Sequence, residues 1–125
     1  MSNVATVQLN SGPNTQANLL IVSEIFEQIS KSKAKIVVLP ENFSLMPEKD
    51  SEFLDKAEED GNGHVQDFIR DLASKYKLWI VAGTIPTITN NPKKVNATTY
   101  VYDDKGDTVC KYNKIHLFDV KLPDV

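Results

Sequence analysis

The sequence predicts an α/β fold. Two observations carry that expectation. Short β-branched apolar runs at Val4–Leu9, Ala34–Leu39 and Leu78–Ile85 alternate with segments whose apolar residues recur at helical spacing. Strands that alternate with helices imply a sheet with crossover helices. A third observation is the pair of runs flanking Asp103-Asp104-Lys105-Gly106. They read as a β-hairpin that extends the sheet in antiparallel fashion.

The first run, VATVQL, ends at Asn10-Ser11-Gly12-Pro13, a turn signal. Leu19, Val22, Ile25, Phe26 and Ile29 then share one helical face. Asn14 or Thr15 is placed to cap that helix, because a short polar side chain accepts from free backbone donors. AKIVVL at 34–39 is nearly continuous in apolar residues. Such a strand suits a parallel sheet covered on both faces. Pro40 lacks the donor needed to continue it. Residues 41–60 are mixed in character, with a short helix expected over Ser51–Ala57 and a break at Gly61-Asn62-Gly63. Val65, Phe68, Ile69, Leu72, Ala73 and Tyr76 form the cleanest amphipathic stripe. LWIVAGTI is a central strand, Trp79 is expected in the core, and Pro86–Lys94 reads as a polar loop. Asn96–Tyr102 and Thr108–Tyr112 are the hairpin strands, with Gly106 supplying a positive φ. The expected order is β-α-β-(α)-α-β-β-β.

Composition narrows the function. The chain has 125 residues, 14 Lys plus Arg and 17 Asp plus Glu, for a net charge of −3. Apolar residues are 41% and charged residues 25%, as in an ordinary globular domain and unlike a disordered one. The mild acidity offers no basic stripe for a nucleic-acid backbone. No apolar run reaches the length of a membrane-spanning helix. No basic and apolar leader opens the chain, and its one cysteine, Cys110, precludes an internal disulfide framework. A cytoplasmic setting is therefore the expectation. Without a leader, Asn42-Phe43-Ser44 and Asn96-Ala97-Thr98 are chance matches to the glycosylation pattern. No nucleotide-binding glycine motif and no zinc-type ligand spacing is present, so neither cofactor nor metal is expected.

Candidate chemistry falls at a few positions. Glu41 follows a buried strand and Pro40, where α/β sheets place ligands. A carboxylate there is placed as a general base would be, although a solvated loop glutamate has the same local sequence. Lys114 and His116 alternate with Ile115 and Leu117, as in an extended segment with both polar residues on one side. A lysine held in a cleft stabilises an oxyanion, while an edge strand with surface charges reads alike. Cys110 lies mid-strand, the place of an inert small apolar residue more than of a nucleophile. His64 sits at the start of a helix, as a cap or surface residue.

Together these segments resemble the carbon–nitrogen hydrolase (nitrilase) superfamily. VATVQLN, VVLPENF with Glu41, LWIVAGTIP and YNKIHLFDV with Lys114 occur in the expected order across the whole chain. The second motif resembles the Nit-type amidase branch, which includes deaminated glutathione amidase and ω-amidase. The resemblance implies an αββα sandwich and a Cys-Glu-Lys triad acting on a small linear amide, without metal or organic cofactor. Glu41 matches the general base and Lys114 the catalytic lysine. Cys110 precedes Lys114 and does not match the nucleophile position. The expectation is therefore the N-terminal half of the domain, residues 1–125, ending before the nucleophile cysteine motif and inactive by itself. A non-catalytic family member acting as an interaction or assembly module is the alternative. Uncovered strand edges and helix faces lead us to expect self-association or a homo-oligomer. Chance motif matches in an unrelated α/β domain would leave Glu41 and Lys114 far apart.

Overall fold

The structure is a computed structural model and describes residues 3–116. One sheet runs in the order β1-β2-β3-β4-β5. β1 (Asn3–Thr6), β2 (Ala34–Leu39) and β3 (Trp79–Ile88) are mutually parallel. β4 (Val95–Tyr102) and β5 (Thr108–Asn113) add antiparallel neighbours at one side. Helices α1 (Thr15–Ser30), α2 (Ser51–Lys56) and α3 (His64–Tyr76) fill the connections.

The layer arrangement follows from handedness. β1-α1-β2 and β2-α3-β3 both step the same way along the sheet. Two right-handed crossovers in one direction place their helices on one face. Leu19, Val22 and Phe26 of α1 accordingly pack in one core with Val65, Ile69, Leu72 and Ala73 of α3. Val37, Leu39, Ile80, Ala82, Ile85, Tyr100 and Tyr102 supply the sheet side of that core.

Local chemistry fixes the helix ends. Asn14 is the N-cap of α1 and its side chain accepts from Ala17 N at 3.0 Å. Glu58 caps α3: its two carboxylate oxygens accept from Val65 N at 2.7 Å and Gln66 N at 3.2 Å. A negative group also complements the positive end of the helix dipole. Asn18 is buried in α1 and ties two loops together. Its amide accepts from Gly12 N and donates to Gly12 O and Ser44 O, all near 3.0 Å.

Four expectations need correction. β3 continues through Pro86 to Ile88, where a loop was expected to start. Proline is tolerated because Pro86 O accepts from Glu58 N and Ile88 N donates to Glu58 O. The donor that proline lacks is not one this bridge uses. The first strand is shorter than its apolar run and stops at Thr6. Trp79 is not core: 40% of it is exposed. Ile80 and Ala82 face the helices, so Trp79 and Val81 alternate onto the other side of the sheet. Across the ladder Trp79 meets Ile36, and Val81 meets Val38 and Val101. Nothing among the described residues covers that face. β2 is therefore buried on one face only, contrary to the two-sided cover its sequence suggests. The sequence 103–106 turns as expected, with Gly106 at φ +85°.

Candidate active site

Glu41 and Lys114 stand 73 positions apart in sequence and meet at the end of the sheet. Lys114 Nζ donates to Glu41 Oε1 at 2.8 Å. Each partner is brought there by a strand end. β2 stops at Leu39-Pro40, so the next side chain projects beyond the carboxyl edge of a parallel strand. β5 stops at Asn113, and Lys114 N donates to Ala97 O at 2.9 Å, which fixes the lysine backbone beside β4. The chain bends at Ile115 and His116. The extended register that would align His116 with Lys114 therefore ends at the lysine. Leu117 to Val120 of the second motif lie outside the described residues.

The pair lines a cleft of about 550 Å³. Asn42, Asp50 and Asn96 add polar groups, and Met46, Phe53 and Pro86 add apolar wall. A concave, largely apolar pocket with few convergent polar groups is the usual form of a small-molecule site. Phe53 comes from α2 and lines one side of the cleft. A second cleft of about 340 Å³ lies between α1, α2 and α3 and is lined by Lys56, Glu58 and His64 among others. Its Glu58 is already committed to capping α3. His64 is exposed at the first position of α3, as its place in the sequence suggests.

Cys110 is exposed in the middle of β5 and pairs with Val101, on the uncovered face of the sheet. It is not among the residues lining the Glu41–Lys114 cleft. No group of three or more His, Cys, Asp or Glu able to hold a metal occurs among the described residues.

Residues that the sequence reading passed over shape the elbow carrying Glu41. Asn42 has φ +55°, a left-handed conformation that asparagine tolerates better than most residues. Its backbone N–H donates to Thr84 Oγ1 at 2.9 Å. Gly83, beside Thr84, lies against Pro40 so closely that a Cβ there would stand 1.8 Å from Pro40 O. A glycine inside a strand pattern signals a bulge or close backbone approach. The register of β3 against β4 does shift between Ala82 and Ile85.

The parallel sheet edge, the one-sided helices and the cleft at the strand ends define an α/β domain of the nitrilase type. The chain belongs to the carbon–nitrogen hydrolase family, whose model matches residues 3–125. It is 34% identical to a deaminated glutathione amidase of Yersinia enterocolitica, over 99% of this chain and 43% of that protein. It is 35% identical to omega-amidase NIT3 of Saccharomyces cerevisiae, over 97% of this chain and 43% of that protein. The crystal structure of yeast Nit3 matches with a TM-score of 0.78 at 29% identity, covering 90% of this chain and 44% of that one. The Caenorhabditis elegans NitFhit structure matches in fold, with a TM-score of 0.82 at 24% identity, over 98% of this chain and 31% of that one. The chain thus spans less than half the length of the curated relatives it matches.

Proposed function

We propose that residues 1–125 form the N-terminal part of an amidase domain that hydrolyses a small linear amide to a carboxylate and ammonia. The observation that carries this reading is the 2.8 Å contact between Glu41 and Lys114 in an open cleft. An amide carbonyl is a poor electrophile, so the reaction needs a strong nucleophile. A cysteine thiolate suits it, with a carboxylate taking the thiol proton. Glu41 fills that role. The thiolate adds to the carbonyl carbon, and the Lys114 ammonium balances charge on the tetrahedral oxygen. Glu41 passes its proton to the departing nitrogen, the C–N bond breaks and a thioester remains. Glu41 then deprotonates the water that cleaves the thioester. None of these steps requires a metal or an organic cofactor.

Cys110 is not among the residues lining the cleft and lies four positions before Lys114 in the chain, so the nucleophile comes from polypeptide outside these 125 residues. The chain alone is then inactive, and the complete site acts on small linear amides, in the cytoplasm. The alternative, a non-catalytic assembly module, draws on the uncovered apolar sheet face. Fusion separates the two. A chimera in which this chain replaces the matching 43% of the Yersinia amidase is expected to release ammonia from small linear amides. Glu41→Gln is expected to lower its kcat by about 10²–10⁴-fold, and Lys114→Met by about 10²–10³-fold. A Glu41→Gln chimera with unchanged kcat removes Glu41 from the mechanism. A folded but inactive chimera favours the assembly module.

A further inference from the structure

We infer that Thr84 is a positioning residue for Glu41: its hydroxyl, seated by Gly83, holds the strand-end elbow in the conformation that aims the carboxylate at Lys114. The inference rests on the proposed role of Glu41 and adds the means by which that carboxylate is held.

Three observations converge on the elbow. Asn42 is in the left-handed region at φ +55°, which costs energy for a residue with a Cβ and persists only when its surroundings enforce it. Its N–H donates to Thr84 Oγ1 at 2.9 Å, and the Thr84 hydroxyl lies a longer 3.4 Å from Asn42 Oδ1. Thr84 is only 7% exposed, so this Asn42 donor lies where water is a poor substitute. On the other side of Glu41, Pro40 O is pressed onto Gly83, where no side chain would fit. Gly83 is itself anchored, because its carbonyl accepts from Thr99 Oγ1 at 2.6 Å. Glu41 thus sits between two neighbours that are both fixed by the Gly83-Thr84 step of β3. The bulge there turns Thr84 toward the elbow when strict alternation would not.

The alternative is that Thr84 merely stabilises the fold. Amide hydrogen exchange and side-chain nuclear Overhauser contacts in the 125-residue chain separate the two. Thr84→Val removes the acceptor and keeps the shape. It is expected to accelerate exchange at Asn42 by about tenfold or more and to abolish the Glu41–Lys114 side-chain contact. Thr84→Ser restores the acceptor and is expected to retain both. Tyr100→Phe removes a hydrogen bond to Asp60 elsewhere in the sheet and is expected to leave both untouched. In the chimera, Thr84→Val is expected to lower kcat about 10²-fold with KM unchanged, again rescued by Thr84→Ser. The inference is overturned if Thr84→Val leaves exchange and contact as they are, or if Tyr100→Phe disturbs them equally. Should Thr84→Val fail to fold, the unmutated chain still decides: an Asn42 amide exchanging as fast as an open peptide overturns the inference. The exchange and contact measurements do not involve turnover, so they stand apart from any failure of Glu41 as a base.

Discussion

At the scale of single residues, the two partners of the cleft differ in how they are read. Glu41 is legible because Pro40 marks where a parallel strand must stop, and a carboxylate there leaves the sheet at its binding edge. Lys114 is legible only through the resemblance, since pattern alone fits a surface lysine equally well. Thr84 and Asn42 were out of reach because a left-handed asparagine and a hydroxyl turned by a bulge leave no periodic trace. Titration tests a different pair of side chains. Burial, reinforced by the hydrogen bond to Asp60, holds the Tyr100 phenol well above the ordinary tyrosine range. Burial does the same for Tyr102, whose hydroxyl has no partner among the described residues. Both folded-state values lie above the unfolded one of about 10. Their contribution is therefore complete below that pH and is lost as pH rises beyond it. Two of the chain's four tyrosines are expected to resist ionisation until the fold opens. Absorbance at alkaline pH, followed beside circular dichroism, checks this: smooth ionisation of all four before any loss of structure contradicts it. On the acid side the sign reverses. The Lys111 ammonium and then the Tyr100 hydroxyl hold Asp60 below the usual aspartate range. That contribution is present above the unfolded value and lost as pH falls through the folded one.

At the scale of elements, periodicity placed both long helices, because each buries one stripe against one sheet face. Leu19, Val22 and Phe26 in α1 and Val65, Ile69 and Leu72 in α3 are the buried members. Phe68 and Tyr76 pack at the margin of the same core. Boundaries were less legible where a neighbour rather than a propensity decides them. β3 runs on through Pro86 because the backbone of Glu58 bonds to its edge, a contact that no window of local sequence reveals. Gly83 was the one overlooked local signal, a glycine between Ala82 and Thr84 in an otherwise side-chain-rich strand. It carries the element-level prediction. Any Cβ there meets the backbone of Leu39 and Pro40, not the yielding end of a side chain. Relief requires β2 and β3 to separate, and overpacking of this kind costs about 3 kcal/mol or more. Gly83→Ala is expected to lower the urea midpoint accordingly, whereas Gly12→Ala, which meets nothing within 4 Å, is expected to leave it nearly unchanged. Equal midpoints for the two variants contradict a close approach of the strands.

At the scale of the whole molecule, alternation along the strands was readable, but which face would be covered was not. Trp79 shows why. Its neighbours Ile80 and Val81 are both apolar, so the run reads as a strand buried on two sides. The helices cover one side only, and the other presents Ile36, Val38, Trp79, Val81 and Val101 in one continuous apolar field. Val4 and Tyr112 extend it to the outer strands and are each 55% exposed. A field of this kind, spread across five strands, drives association in water. The isolated 125-residue chain is therefore expected to sediment as dimers or larger species at micromolar concentration. The interface would be this face and not the helical layer, so a charge at its centre is the discriminating change. Val81 lies between Val38 and Val101. Val81→Lys removes no contact from the helix-side core and is expected to shift the chain toward monomer with its circular dichroism retained. A lysine in place of the exposed Leu20 on α1, 62% exposed, leaves the sheet face intact and is expected to leave association unchanged. A monomeric parent chain, or association lost through Leu20→Lys and not through Val81→Lys, shifts the adhesive surface away from the sheet.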